Sequence, residues 1–357
     1  MKKVRILIFS FISVLILSMS QISQAQEIAM VSAYSGYYTT SHYIKNLSYL
    51  SGYGSNLASQ SEANIASNPS IIFLNQVVIL DFGRPAVQTQ RVKKNKLSTY
   101  GTLLFDNRTV ASTNEIAISV KKFIDSFIIS FQSNTVYSLT IGVGTSNYGS
   151  YVTNVHGQAW GNMINSINTY ISDKAKTDPR YNSIKAVGAN DMETGWNTPG
   201  VTRAWVQGYR SATDYQLCDY GDAGGMPQAP AGTSSCIYGA GNNGWTLDDK
   251  WYVSDGGVNT NTQKSYSFSL PEIYTKSGTQ AAQWFNLDLY SHEKYGKPLG
   301  IYGVMTDYEA DSTRNTPESG WNQLAGYINS STVTKGDLAN GNSFMQWSTD
   351  ISWVLPF

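Results

Sequence analysis

Two acids two residues apart, Asp191 and Glu193, close the stretch KAVGANDMETGW at positions 185–196. In an extended segment, residues i and i+2 point to the same side. Both carboxyl groups can therefore line one surface, with Met192 turned into the wall behind them. Hydrolysis of a glycosidic bond needs a pair of carboxyl groups, one to protonate the leaving oxygen and one to act as nucleophile or base. Crowding supplies the necessary difference, because like charges raise one another's pKa and leave one group protonated beside an ionised neighbour. Glu193 is accordingly expected to be the general acid, with Asp191 assisting. Together they make only one side of a cleft, so a further acid is expected opposite, with Asp81 as first candidate and Asp307 and Glu309 as the others.

More acids fall where apolar runs end: Asp219 in YQLCDYG, Asp255 in KWYVSDG, Glu272 in SFSLPEIY, Asp307 and Glu309 in LGIYGVMTDYE, and Asp350 in SFMQWSTDI. One acid after a strand is most often a turn former or a helix cap. A ring of them at one rim points instead to a cleft. Trp196, Tyr220, Tyr308 and Trp347 sit near the same run ends, and aromatic faces stack on sugar rings. With Asp219, Asp255, Glu272, Asp307 and Glu309 they form the expected substrate-binding set. Trp245 and Trp251 also lie near run ends, and for all six aromatics the alternative is core filling, because such side chains fill cores as readily as they meet ligands.

These residues need strands to deliver them. Apolar runs at 76–83, 137–144, 184–191, 215–221, 250–256, 267–274, 299–309 and 343–351 read as eight buried strands. Helical patterns separate most of them. One opens with the capping box Ser112-x-x-Glu115 and gathers Ile116, Val120, Phe123, Ile124, Phe127 and Phe131 on one face. A second gathers Trp160, Met163, Ile164, Ile167 and Ile171, and two others begin with Thr198-Pro199 and Thr316-Pro317 as N-cap and first helical residue. The stretch TQAAQWFNLDLYS supplies another, while the links around 222–249 and 257–266 hold no full helix. Alternation of this kind implies a parallel sheet, and eight strands fit a (β/α)8 TIM barrel, whose site lies at the C-terminal strand ends. The barrel is expected over residues 76–357, with 26–75 as an irregular N-terminal extension packed on it.

The first 25 residues read as a signal peptide: Lys2, Lys3 and Arg5, an apolar run from Ile6 to Met19, and Ser23 and Ala25 before the cleavage point. A secreted, extracellular chain with no membrane span after cleavage is expected. Lys and Arg total 25 and so do Asp and Glu, which leaves no electrostatic footprint for nucleic acid. Charged residues make up only 14%, and a neutral polar surface suits a glycan or polysaccharide partner. Cys218 and Cys236, in an oxidising setting and bracketing a loop without core-forming residues, are expected to form a disulfide. His42, His156 and His292 fall in no H-E-x-x-H pattern, no nucleotide-binding or serine-nucleophile motif is present, and no metal or cofactor is expected.

A strand ending in D-x-E resembles the catalytic strand of (β/α)8 glycoside hydrolases, notably the family 25 lysozymes and, more loosely, the family 18 chitinases. The resemblance matches Asp81 to the acid ending the first strand, and Asp191 and Glu193 to the assisting aspartate and the proton donor. Asp81-Phe82-Gly83 stands where the lysozymes usually carry D-x-S, and Ala186 and Ala189 stand where the chitinase pattern has two further aspartates. The GANDMETGW and MQWSTDI stretches also resemble a group of uncharacterised secreted bacterial proteins. A glycoside hydrolase-like protein acting on a polysaccharide or cell-wall glycan is the implied function. The alternative is a barrel that binds carbohydrate without turnover, or a scaffold of the cell surface or matrix.

Overall fold

The computed structural model describes residues 39–69, 71, 73–92, 95–339 and 348–352. The expected signal peptide, residues 1–25, and Trp347 lie outside the described residues. Eight strands form one parallel sheet in the order β10-β11-β1-β2-β6-β7-β8-β9. They are β1 (Thr39–Tyr43), β2 (Phe73–Asp81), β6 (Val136–Ser146), β7 (Ile184–Asp191), β8 (Leu217–Asp219), β9 (Ser267–Ser269), β10 (Met305–Thr306) and β11 (Thr349–Ser352). A separate antiparallel sheet of β3 (Arg84–Val92), β4 (Asn95–Leu103) and β5 (Val110–Ser112) follows β2 directly.

One α-helix lies in each crossover: α1 (Leu50–Ser67), α2 (Thr113–Ser130), α3 (Asn154–Ala175), α4 (Pro199–Ala212), α5 (Leu247–Ser254), α6 (Thr279–Tyr295) and α7 (Pro317–Ser330). The sequence signals for these helices have their expected effect. At α2, Ser112 Oγ accepts from Glu115 N–H while Glu115 Oε2 accepts from Ser112 N–H at 2.8 Å. The apolar face from Ile116 to Phe131 is buried. Thr198 and Thr316 are N-caps before Pro199 and Pro317.

Burial divides the apolar residues into two clusters, and the strand pleat explains the division. Val78, Leu80, Ala186 and Met192 pack with the helices in the larger cluster. Val77, Ile79, Val187, Ala189, Cys218, Tyr220, Phe268, Leu270, Met305 and Ile351 form a smaller one. That inner cluster draws on strands from both ends of the sheet order, so the sheet curls round its own core. Parallel bridges join the end of β9 to the approach to β10, Ser269↔Ile301, and the chain after β9 to the start of β10, Glu272↔Met305.

Three sequence expectations are corrected. The stretch at 250–256 is helix rather than strand: most of it belongs to α5, whose capping box is Thr246 with Asp249. Its apolar run, Trp251 to Val253, is too short for periodicity to separate a buried strand from a helix. The missing strand is β1, which lies inside the sheet between β11 and β2, in the stretch read as irregular; α1 follows it. Its sequence TTSHY carries no apolar run, because Ser41 and Thr349 hydrogen-bond across the interior at 2.8 Å where apolar side chains were anticipated. Cys218 and Cys236 are free thiols rather than a disulfide. Cys218 points into the inner cluster, whereas Cys236 packs in the outer one, where its N–H donates to Glu293 of α6.

Candidate active site

The same pleat sorts the acids at the C-terminal strand ends. Continuing each inward-facing register brings Asp81 after Val77 and Ile79, Asp191 after Val187 and Ala189, Glu272 after Phe268 and Leu270, and Asp307 after Met305. All four line one cavity of about 420 Å3, together with Glu193 and Trp196. Tyr43, Ser146 and Tyr274 complete the strand side. Arg84, Leu103, Leu104, Phe105 and Asn107, from the antiparallel sheet and its turn, make the opposing wall. A larger cavity of about 880 Å3 opens at the other end of the sheet, around Lys185 and Gln216 at the strand starts, away from these acids.

One oxygen from each of Asp191, Glu193 and Glu272 lies within 4.8 Å of the others. Glu272, expected only as a binding residue, is therefore the acid that faces Glu193. Burial comes first in raising the pKa of all three, followed by the charges of their acidic neighbours. Glu193, the most open, is pushed up to about 7, with Asp222 adding to the rise and Lys250 opposing it. Asp191 and Glu272 are held well above the usual carboxylate range. Asp81 is also raised to about 7 by burial, against the pull of hydrogen bonds from Gly83 N–H and Tyr220. Asp191 Oδ1 is enclosed with no hydrogen-bond partner among the described residues. A proton on this cluster, or a hard divalent cation among its oxygens, would each relieve the repulsion.

The D-x-E segment is held rigidly from behind. Asn147 clamps Glu193 through its main chain, its Oδ1 accepting from Glu193 N–H at 3.2 Å and its Nδ2 donating to Glu193 O at 2.9 Å. Met192 is fully buried toward the helices, as the pleat requires. Gly221 lies so close that a Cβ there would fall 2.4 Å from Met192 N. Tyr274 hydroxyl donates to Glu272 Oε1 at 2.8 Å.

Other expected site residues fall elsewhere. Asp219 has outward parity between Cys218 and Tyr220, and its fully buried carboxylate pairs with Lys250 at 2.8 Å instead of meeting the cavity. Asp255 caps the C-terminus of α5, and its carbonyl accepts from Ser267 N–H at the start of β9, at the opposite end from the cavity. Asp350 receives Thr306 Oγ and the N–H groups of Tyr308 and Glu309, so it organises the turn after β10. Tyr308 and Glu309 are themselves exposed and do not line the cavity. Tyr220 is buried beneath Asp81, in space left by Gly144. Trp245 and Trp251 are buried, with their indole N–H groups donating to Asn197 O and Ser291 Oγ.

The chain matches no family model, no curated protein and no solved structure. The geometry of the rim therefore carries the functional reading. Of the expected aromatic contacts with described side chains, Trp196 alone lines the cavity, packed edge-on against Tyr148 at 5.6 Å. Sequence reasoning missed Tyr43, Tyr148, Tyr274 and Phe105 on the cavity wall, and Asp222 behind Glu193. Tyr43 ends an unrecognised strand, and Phe105 belongs to an unrecognised insertion. The signal that was available lay in Ser267-Phe-Ser-Leu-Pro-Glu272, where alternate residues share a face.

Proposed function

We propose that the chain is a secreted glycoside hydrolase-like enzyme that cleaves a polysaccharide or cell-wall glycan at the rim of a closed (β/α)8 barrel. The close approach of Asp191, Glu193 and Glu272 in an aromatic-walled cavity supports this reading most directly. Carboxyl groups about 5–5.5 Å apart serve retaining hydrolysis, whereas inversion needs about 6.5–9.5 Å to admit a water between them. One oxygen from each acid lies within 4.8 Å of the others, and we read this close approach as favouring the retaining arrangement.

In this mechanism the trio works with one negative charge shared among protonated neighbours. Glu193, poised at about 7, gives its proton to the leaving glycosidic oxygen. Glu272 must carry the shared negative charge once substrate is bound, with the Tyr274 hydroxyl lowering its pKa against the burial that raises it, and it attacks the anomeric carbon as the bond to the leaving oxygen breaks. Water, deprotonated by Glu193, then releases the sugar from Glu272 and restores both groups. Asp191 keeps its proton between them and orients the substrate beside the reacting carbon. Trp196 and the tyrosines supply stacking faces.

The test is release of reducing ends from a panel of chitin, peptidoglycan and plant and bacterial glucans. Activity in the wild type that disappears in both Glu193→Gln and Glu272→Gln supports the assignment. Glycan binding on an array without release of reducing ends from any of the panel would replace it with the binding-barrel alternative.

A further inference from the structure

Away from the rim, α6 presents Asp288 and His292 four residues apart, hence on the same face of the helix. Opposite them stands Asp337, from the short helical turn Asp337–Ala339 that precedes β11. One candidate ligand atom from each of Asp288, His292 and Asp337 lies within 4.8 Å of the others. His292 Nε2 is 2.7 Å from Asp337 Oδ2. Asp288 is 1% exposed: Oδ1 accepts from Leu299 N–H at 2.8 Å, while Oδ2 is enclosed without a hydrogen-bond partner among the described residues. An enclosed carboxylate oxygen with no donor, beside a second carboxylate, is costly unless a positive charge or a proton meets it.

We propose that Asp288, His292 and Asp337 bind a divalent transition-metal ion of the zinc type. Two carboxylates balance the charge of such an ion, and one imidazole selects it over calcium or magnesium, which prefer oxygen alone. Side-chain exposures of 20% for His292 and 11% for Asp337 leave a path by which water completes the shell. Among the described residues no basic side chain forms an ion pair with Asp288, and Lys297, the first basic group beyond the helix in sequence, is engaged by Asp255 at 2.5 Å. The bound ion fastens α6 to the segment leading into the last strand, so its role is structural and separate from the carboxylate trio.

The experiment uses the full chain, stripped with chelator and titrated calorimetrically with zinc chloride, with a cobalt titration followed by visible absorption. Expected are one equivalent bound with a dissociation constant in the micromolar range or tighter, a rise in thermal midpoint with zinc, and cobalt bands carrying an imidazole signature. His292→Ala, at a partly exposed position, should weaken binding at least tenfold, and Asp288→Asn should do the same, while Glu272→Gln leaves this equivalent in place. Two results would overturn the proposal. One is no stoichiometric binding at millimolar metal, which leaves a proton shared between Asp288 and Asp337 as the neutralising charge. The other is binding that survives His292→Ala and disappears in Glu272→Gln, which places the ion at the rim.

Discussion

Lys250 Nζ lies 2.8 Å from Asp219 Oδ2, and neither side chain reaches solvent. The same ammonium donates to Met192 O at 3.0 Å and sits 4.9 Å from the centre of the Trp284 ring. Ser254 Oγ gives Asp219 a further donor at 2.5 Å. An ion pair with its remaining valences satisfied tolerates burial, whereas removal of one partner leaves an uncompensated charge. This pair stands directly behind the D-x-E segment, and it connects α5 to the placement of Glu193.

Lys250→Met should therefore destabilise the chain by roughly 3–5 kcal/mol. The double variant Lys250→Met with Asp219→Asn should recover part of that loss. Urea denaturation followed by tryptophan fluorescence measures both, and equal stability of single variant and wild type would show that the pair is not needed.

Glu193→Gln and Glu272→Gln should each lower glycan hydrolysis by about 10²–10⁴-fold, the usual span for loss of a positioned acid or base. Glu309→Gln, at an exposed position outside the cavity, should stay close to wild type. A reducing-sugar assay on the best substrate of the panel separates these outcomes.

Asp81 makes stability depend on pH in a definite direction. Its pKa rises from 3.8 to about 7 on folding, so between these values the folded state holds a proton that the unfolded state has lost. The resulting stabilisation is complete below the unfolded value and is lost as pH rises through about 7. Asp81→Asn should flatten the profile over that window, by an amount on the order of 4 kcal/mol. Parallel denaturation series at pH 4.5 and pH 8 test this, and an unchanged difference between the two would show that Asp81 titrates normally.

Both cysteines should behave as thiols. Alkylation in denaturant without prior reduction should label Cys218 and Cys236 together, as intact mass will show, and reductant should leave the thermal midpoint where it was. Unlabelled protein that becomes labelled only after reduction would establish a bridge instead.

The sequence revealed the alternation of strands and helices and the D-x-E at a strand end, because both leave local periodic signals. It concealed β1, whose Thr39, Ser41 and Thr349 neighbours replace apolar contacts with hydroxyl groups. With β1 counted, Asp81 ends the second strand of the parallel sheet in chain order and Asp191 the fourth. Parity within a run was legible for Glu272, which follows Phe268 and Leu270 at alternate positions. For Asp219 it could be read only once Cys218 and Tyr220 were known to face inward. The meeting of Asp337 with His292 across 45 residues left no local trace, and neither did the wall formed by β3 to β5.

Thr349 Oγ donates to the main-chain carbonyl of Thr39 at 2.9 Å, across 310 residues of sequence, and β1 and β11 lie side by side in register. Closing this seam brings together the two most distant strands of the sheet, a contact whose loop entropy must be overcome before it is rewarded. A ribosome would deliver β1 first and hold it without its neighbour until β11 emerges. A chain cut short before Thr349 leaves β1 and β10 without the strand that joins them, so the emergence of β11 acts as the check on whether the sheet can be finished.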